Sequence, residues 1–341
     1  MQNKLRIKEY TGFSRIVRRN AVAEEEAPTA GKRVLSMRCA VIGCGPVGTA
    51  TASALSSSAL FSSMVLIDPD PSRTEEAADA LNRALPFRSP MEIAPGDYDD
   101  LVGVSLAVLA LGAERRPLES RAEHTERSLT LLRPILREIS KYAEEAVLVV
   151  AVPPVEAVTY GVYRLTGFPK HRVIGIGTLG DTLRLRYLLG RSLAVDPQAL
   201  RAVVIGEGGG EGFPVQSSLV IPSASGDLSL LSADDPSIVD LMAEIRAISR
   251  YDFDPESLCC APAEAALRIA TAIARNVNTP LPVSSALMGE CGLSDVAISL
   301  PSTVGRNGIV EVREPPLERH ERDRLHHIAA SQRRILDVLR L

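Results

Sequence analysis

The sequence predicts an α/β protein, a doubly wound parallel sheet followed by a half of α+β type. Three observations carry this: apolar runs alternating with amphipathic stretches from residue 38 onward, a glycine-rich turn after the first run, and a change of pattern beyond about residue 195. The runs at 39–43, 64–68, 106–111 and 147–152 suit strands covered on both faces. Between them, 47–60, 72–85 and 121–142 carry apolar residues at helical spacing. Such alternation means βαβ units, whose right-handed crossovers wind helices onto both faces of one sheet. Further on, 200–206 and 213–222 read as a hairpin pair, and helices are expected over 236–249, 262–276 and 316–341.

The chain has 341 residues, enough for two domains, with 38 basic and 42 acidic side chains and a net charge of −4. That balance excludes a broadly basic nucleic-acid binder and an acidic disordered tail protein. With 45% hydrophobic residues it can bury a sizeable core, yet its apolar runs fall short of the ~20 residues that span a bilayer. Cys39, Cys44, Cys259, Cys260 and Cys291 are odd in number and lack metal-ligand spacing, so a reducing, cytoplasmic setting without a metal is expected. Residues 1–36 differ: Lys4, Arg6, Lys8, Arg15, Arg18 and Arg19 face one acid, Glu9, before an acidic, proline- and glycine-containing linker. A mobile extension is one reading and an organelle transit peptide the other.

The turn after the first strand run is Gly43-Cys44-Gly45-Pro46-Val47-Gly48. In this G-x-G-x-x-G, Gly43 permits the tight turn, Gly45 lets a pyrophosphate approach the backbone, and Gly48 allows close helix–strand packing. The helix that follows would offer its free N–H groups and positive dipole end to the phosphates. The second strand run ends at Asp68, about 20 residues on, where a carboxylate meets the ribose hydroxyls of NAD and repels the 2′-phosphate of NADP. A Rossmann-type NAD site is expected, with Gly112, just past the 106–111 run, completing its residues.

Several later stretches resemble the lactate/malate dehydrogenase family: Gly167-Phe168-Pro169-Lys170-His171-Arg172-Val173-Ile174-Gly175, Gly305-Arg306-Asn307-Gly308-Ile309, and the charged stretch running to Leu341. The similarity extends from about Arg38 to Leu341. It implies an NAD-binding domain over 37–180, an α+β substrate domain over 181–341, homodimer or homotetramer assembly, and chemistry on small 2-hydroxy or 2-oxo acids. By the same resemblance, Arg121 in Arg115-Arg116-Pro117-Leu118-Glu119-Ser120-Arg121 matches the mobile-loop arginine that polarises the substrate carbonyl. Arg115 falls at the specificity position, where arginine marks dicarboxylate users. Leu118 stands where the loop usually has glycine, which should stiffen closure. In Gly180-Asp181-Thr182-Leu183-Arg184, Arg184 matches the bidentate carboxylate clamp and Asp181 the group that orients the catalytic histidine.

That histidine is missing. The family's Gly-Glu-His-Gly-Asp appears as Gly206-Glu207-Gly208-Gly209-Gly210, with Pro214-Val215 anchoring the register, so Gly208 holds the histidine's place. Asn-Pro-Val has become Pro153-Pro154-Val155, and the threonine expected ahead of 262–276 falls at Leu258 or Cys259. Glu211 is a speculative replacement base, while His124, His320, His326 and His327 are expected to face solvent and Cys259 and Cys260 to pack as small hydrophobes. Asp181, deprived of its imidazole, should turn to Arg184, to another donor or to water, or be partly protonated. Restoring the imidazole by Gly208→His is expected to recover some activity. Two functions remain open: an oxidoreductase acting on a CH–OH group with an altered proton path, and a catalytically impaired module that binds NAD and a carboxylate.

Overall fold

The computed structural model describes residues 37–87, 89–222, 228–250 and 259–341; the readings made on residues 1–36 and on Leu258 lie outside these. Six parallel strands come first: β1 (Arg38–Ile42), β2 (Ser63–Ile67), β3 (Glu92–Pro95), β4 (Leu106–Leu109), β5 (Val147–Val150) and β6 (Val173–Gly175). Their order in the sheet is β3-β2-β1-β4-β5-β6. The order reverses between β1 and β4, and ligands of such sheets bind at the carboxyl ends of the strands beside that reversal.

Residue alternation explains the layering. Cys39 and Val41 of β1 point into one core layer with α1 (Pro46–Ser57) and α2 (Pro71–Ala84), whereas Ala40 and Ile42 point into a second with α3 (Arg121–Tyr142) and α4 (Val155–Thr166). Both faces are covered, which is why these strands read as unbroken apolar runs. Helix α3 opens on a capping box: Ser120 accepts from the Glu123 N–H, and Glu123 accepts from the Ser120 N–H, so Arg121 begins the helix.

The later part departs from the expected pattern. Helix α5 (Leu179–Leu193) follows β6, and the expected hairpin pair shrinks to β7 (Val204–Ile205) against β8 (Phe213–Pro214). Residues 220–222 instead form β9 (Val220–Pro222), paired with β10 (Leu228–Leu230). Helices α6 (Pro236–Arg250), α7 (Cys260–Arg275) and α8 (Arg319–Val338) stand near their expected places. The long antiparallel pair β11 (Thr279–Met288) and β12 (Ser294–Gly305) was not foreseen; with β13 (Gly308–Val312) it extends the parallel sheet to nine strands. Prolines hide it, because proline cannot donate to a ladder. Pro282 lies opposite Pro301, and β11 meets β6 only at Ser284, so Pro280 and Pro282 fall beyond that pairing. No helix among the described residues is long and apolar enough to cross a membrane.

Candidate active site

At the reversal of strand order, the β1–α1 turn is shaped by what its glycines touch. Gly43 has φ +103°, and a Cβ there would stand 2.6 Å from the Leu111 nitrogen. A Cβ on Gly48 would stand 1.7 Å from the Gly43 carbonyl oxygen, backbone against backbone. Gly45 differs: nothing lies within 4 Å of where its Cβ would be. It caps α1 without a side-chain acceptor, so the first amides of the helix keep their donors for a ligand. Asp68 closes the turn, accepting from the Cys44 N–H at 2.7 Å and the Asp70 N–H at 3.0 Å. Gly112 lies against Val152, whose Cγ1 would be 2.4 Å from an added Cβ. An open glycine face, an uncapped helix N-terminus and a carboxylate beyond the second strand together fit a dinucleotide diphosphate and ribose. Burial, with Asp68 nearby, pushes the Cys44 thiol up to about 11, so this cysteine stays protonated beside the phosphate turn.

The substrate-side residues converge on the loop after β7. Asp181, in the first turn of α5, is buried; its Oδ1 lies 3.3 Å from an Arg184 guanidinium nitrogen and its Oδ2 accepts from the Gly209 N–H at 2.8 Å. Burial holds the Asp181 carboxyl above the usual carboxylate range, although the Gly209 N–H, Arg184 and Arg121 pull it down. Arg184 and a backbone amide thus serve the carboxylate in place of an imidazole. Arg121 donates to the Gly209 carbonyl at 3.2 Å and forms an ion pair with buried Glu207, which also accepts from Gln332 on α8. Gly210 makes this approach feasible, since a Cβ there would lie 2.7 Å from the Arg121 guanidinium and 2.5 Å from Glu207. Arg115 stands apart, exposed on the loop before α3 with Leu118, which is fully exposed at φ 61°.

Glu211, the replacement base considered from sequence, is solvent-exposed; the carboxyl that accepts from the Gly208 N–H is Glu156, which sequence reasoning passed over. Glu156 is 1% exposed and accepts at one oxygen from the Gly208 N–H at 3.1 Å and the Ser299 hydroxyl at 2.7 Å. Burial raises it from 4.5 to about 7, against the pull of those two hydrogen bonds and of Arg121. Other expectations are corrected. His124 is buried rather than surface-facing, with its Nε2 2.8 Å from the Ala113 carbonyl oxygen. Cys260 is exposed and Cys259 half-buried, so neither packs as a core hydrophobe. A Cβ at Gly208 would stand 2.8 Å from the Gly177 carbonyl oxygen, so an imidazole cannot be restored there without moving backbone.

The family model for the lactate/malate dehydrogenase NAD binding domain matches residues 37–175, and that for the lactate/malate dehydrogenase alpha/beta C-terminal domain matches residues 178–338. The chain belongs to the lactate/malate dehydrogenase family. NAD is its cofactor, and its architecture is that of the family, a Rossmann-type sheet with an α/β C-terminal part. It is 35% identical over 304 residues to an L-lactate dehydrogenase of Acetivibrio thermocellus, covering 88% of this chain and 96% of the relative. An L-lactate dehydrogenase of Geobacillus stearothermophilus is 33% identical over 313 residues, covering 88% and 96%. Among solved structures, the ligand-bound minor L-lactate dehydrogenase of Enterococcus mundtii superposes with a TM-score of 0.81 at 25% identity, covering 90% of this chain and 99% of that one. The malate dehydrogenase of Aeropyrum pernix gives 0.77 at 25% identity, covering 88% and 97%.

Proposed function

We propose that this chain is an NAD-dependent oxidoreductase that interconverts a small 2-oxo acid and its 2-hydroxy acid, with a proton path that does not use the family's imidazole. The observation that carries the reading is the convergence of Arg121 and Asp181 on the Gly209 backbone, with Arg184 paired to Asp181. Arg184 presents a planar pair of donors suited to a substrate carboxylate, which its partner Asp181 steadies from the same helix. Arg121 supplies positive charge where a carbonyl oxygen would gain negative charge during reduction, and substrate must draw it from Glu207. Arg115 would select a second carboxylate, favouring dicarboxylic substrates. The bound dinucleotide supplies or accepts the hydride. Assembly as a homodimer or homotetramer and a cytoplasmic setting belong to the same proposal.

Losing the imidazole should slow turnover, since positioned general acid–base catalysis is worth roughly 10²–10⁴-fold. The Gly208 backbone that crowds out a side chain there also favours a second reading, an NAD- and carboxylate-binding module without turnover. One experiment separates them: NADH absorbance followed with a panel of oxaloacetate, pyruvate and larger 2-oxo acids. Slow oxidation of NADH with at least one acid, fastest with a dicarboxylate, is expected. Binding of NADH with no turnover for any acid would leave only the module, and turnover as fast as an ordinary malate dehydrogenase would refute the altered proton path.

A further inference from the structure

Glu156 is a carboxyl in an unusual position for a buried acid. It lies in the first turn of α4, one residue beyond the Pro153–Pro154 pair, where the helix dipole favours a negative charge. Yet it is 1% exposed, and its Oε2 has no hydrogen-bond partner among the described residues. Its Oε1 holds the N–H of Gly208, the residue in the histidine's place, and lies 3.6 Å from where a Gly208 side chain would begin. The next amide, that of Gly209, holds Asp181, so consecutive N–H groups of one loop are fastened to two carboxyls. Gly208 is itself only half-buried, which places the Glu156 carboxyl one layer of backbone from the accessible surface.

We propose that Glu156 holds and exchanges the proton that the family's imidazole would carry, passing it through a water molecule at the exposed edge of the Gly208 backbone. The inference rests on the reading of this chain as an oxidoreductase. In the reducing direction, hydride adds to the carbonyl carbon, the C=O π bond opens onto oxygen, and that oxygen takes a proton relayed from the Glu156 carboxylic acid. The carboxylate left behind is reprotonated from solvent, so the sum is 2-oxo acid, NADH and one proton giving 2-hydroxy acid and NAD⁺. Oxidation runs the same path backwards, with Glu156 starting ionised.

The surroundings suit the task. Desolvation brings the carboxyl to about 7, close to neutral pH, where an acid–base group shuttles a proton most effectively. The charged group that acts on it is Arg121 from α3; Asp181 from α5 holds the neighbouring Gly209 amide, and Glu207 in the loop is paired with Arg121. From β12 the Ser299 hydroxyl donates to it; from the β6–α5 turn the Gly177 carbonyl faces the same Gly208. Arg121 favours the ionised form and burial the neutral one, so both protonation states stand within reach.

The test compares wild type, Glu156→Gln and Glu156→Asp in two measurements. The first is the pH profile of kcat for 2-oxo acid reduction, with NADH affinity followed separately by its own fluorescence. The second is difference infrared spectroscopy, which follows the carbonyl stretch of a protonated carboxylic acid as pH is raised, without substrate. Wild type should lose kcat with an inflection near neutral pH, and a carboxylic acid band should disappear over the same range. Glu156→Gln should lack both band and inflection, with kcat at least 100-fold lower and NADH affinity unchanged, while Glu156→Asp should keep a displaced inflection. If wild type is active and Glu156→Gln keeps its kcat and its inflection, the proton path is elsewhere while the oxidoreductase reading stands. If wild type binds NADH but reduces none of the acids, that reading falls and this one with it. Should Glu156→Gln fail to fold, wild type and Glu156→Asp decide: no carboxyl titrating near neutrality, or an inflection that Asp does not move, overturns the proposal.

Discussion

Replacing Glu156 by Gln should change how stability depends on pH, and by a calculable amount. The carboxyl titrates near 4.5 in an unfolded chain and near 7 in the folded protein, because burial disfavours its charge. Below 4.5 both states are protonated and the group has no effect. Between 4.5 and 7 the unfolded chain releases its proton while the folded one retains it, so raising pH favours unfolding; above 7 the penalty is complete. At about 1.4 kcal/mol for each pH unit of separation, the loss across that window is roughly 3 kcal/mol. Gln cannot titrate. The stability of Glu156→Gln relative to wild type should therefore rise by roughly 3 kcal/mol from about pH 4 to about pH 8, whatever its offset at low pH. Asp181, also raised by burial, adds a slope of the same sign, but it is present in both proteins and cancels in the difference. The protein has no tryptophan, so urea unfolding is best followed by circular dichroism at a series of pH values. Two curves running parallel from acid to mild base would show that Glu156 titrates normally in the folded protein.

Three further outcomes follow from the same geometry. Gly45→Ala should leave unfolding free energy within about 1 kcal/mol of wild type, since its Cβ enters open space, yet weaken NADH binding at least tenfold; Gly48→Ala should instead destabilise the fold beyond the roughly 1–3 kcal/mol of ordinary overpacking, its Cβ meeting backbone. Urea titrations paired with NADH fluorescence read both. Arg184→Lys should abolish the rise in melting temperature that oxamate gives in the presence of NADH, because an ammonium cannot reproduce two parallel hydrogen bonds; an unchanged shift would place the acid elsewhere. Gly208→His should lower stability by about 1–3 kcal/mol without accelerating turnover, because its Cβ must displace the Gly177 carbonyl; a stable, faster variant would show that the loop yields easily.

Legibility from sequence followed the range of the forces involved. Strands β1, β2, β4 and β5 were readable because burial on both faces leaves a local apolar run. Strand β3 was not, having only Ile93 buried, and the prolines of β11 and β12 concealed a pair whose buried residues would otherwise have marked it. Arg121, Asp181 and Arg184 were legible through segments that match a family. Glu156 carried no such mark: an acid in the first turn of a helix is ordinary, and its partners Gly208 and Ser299 lie 52 and 143 positions away. His124 was misread because Glu123, Glu126 and Arg127 surround it with charge, while its own ring turns inward to Ala113.

The pairing of β6 with β11 also has a bearing on how the chain is made. The six parallel strands are complete once Gly175 has been synthesised, but Ser284, which meets it, emerges only after, among the described residues, three further α-helices and four short strands. Until then β6 is an exposed edge of buried character, able to pair with any other extended chain that reaches it. A ribosome pausing between these points would hold a nascent protein whose cofactor half is folded and adhesive along one side. Fragments ending soon after α5 should therefore aggregate from that edge, and chains stalled there should be the ones that need a chaperone.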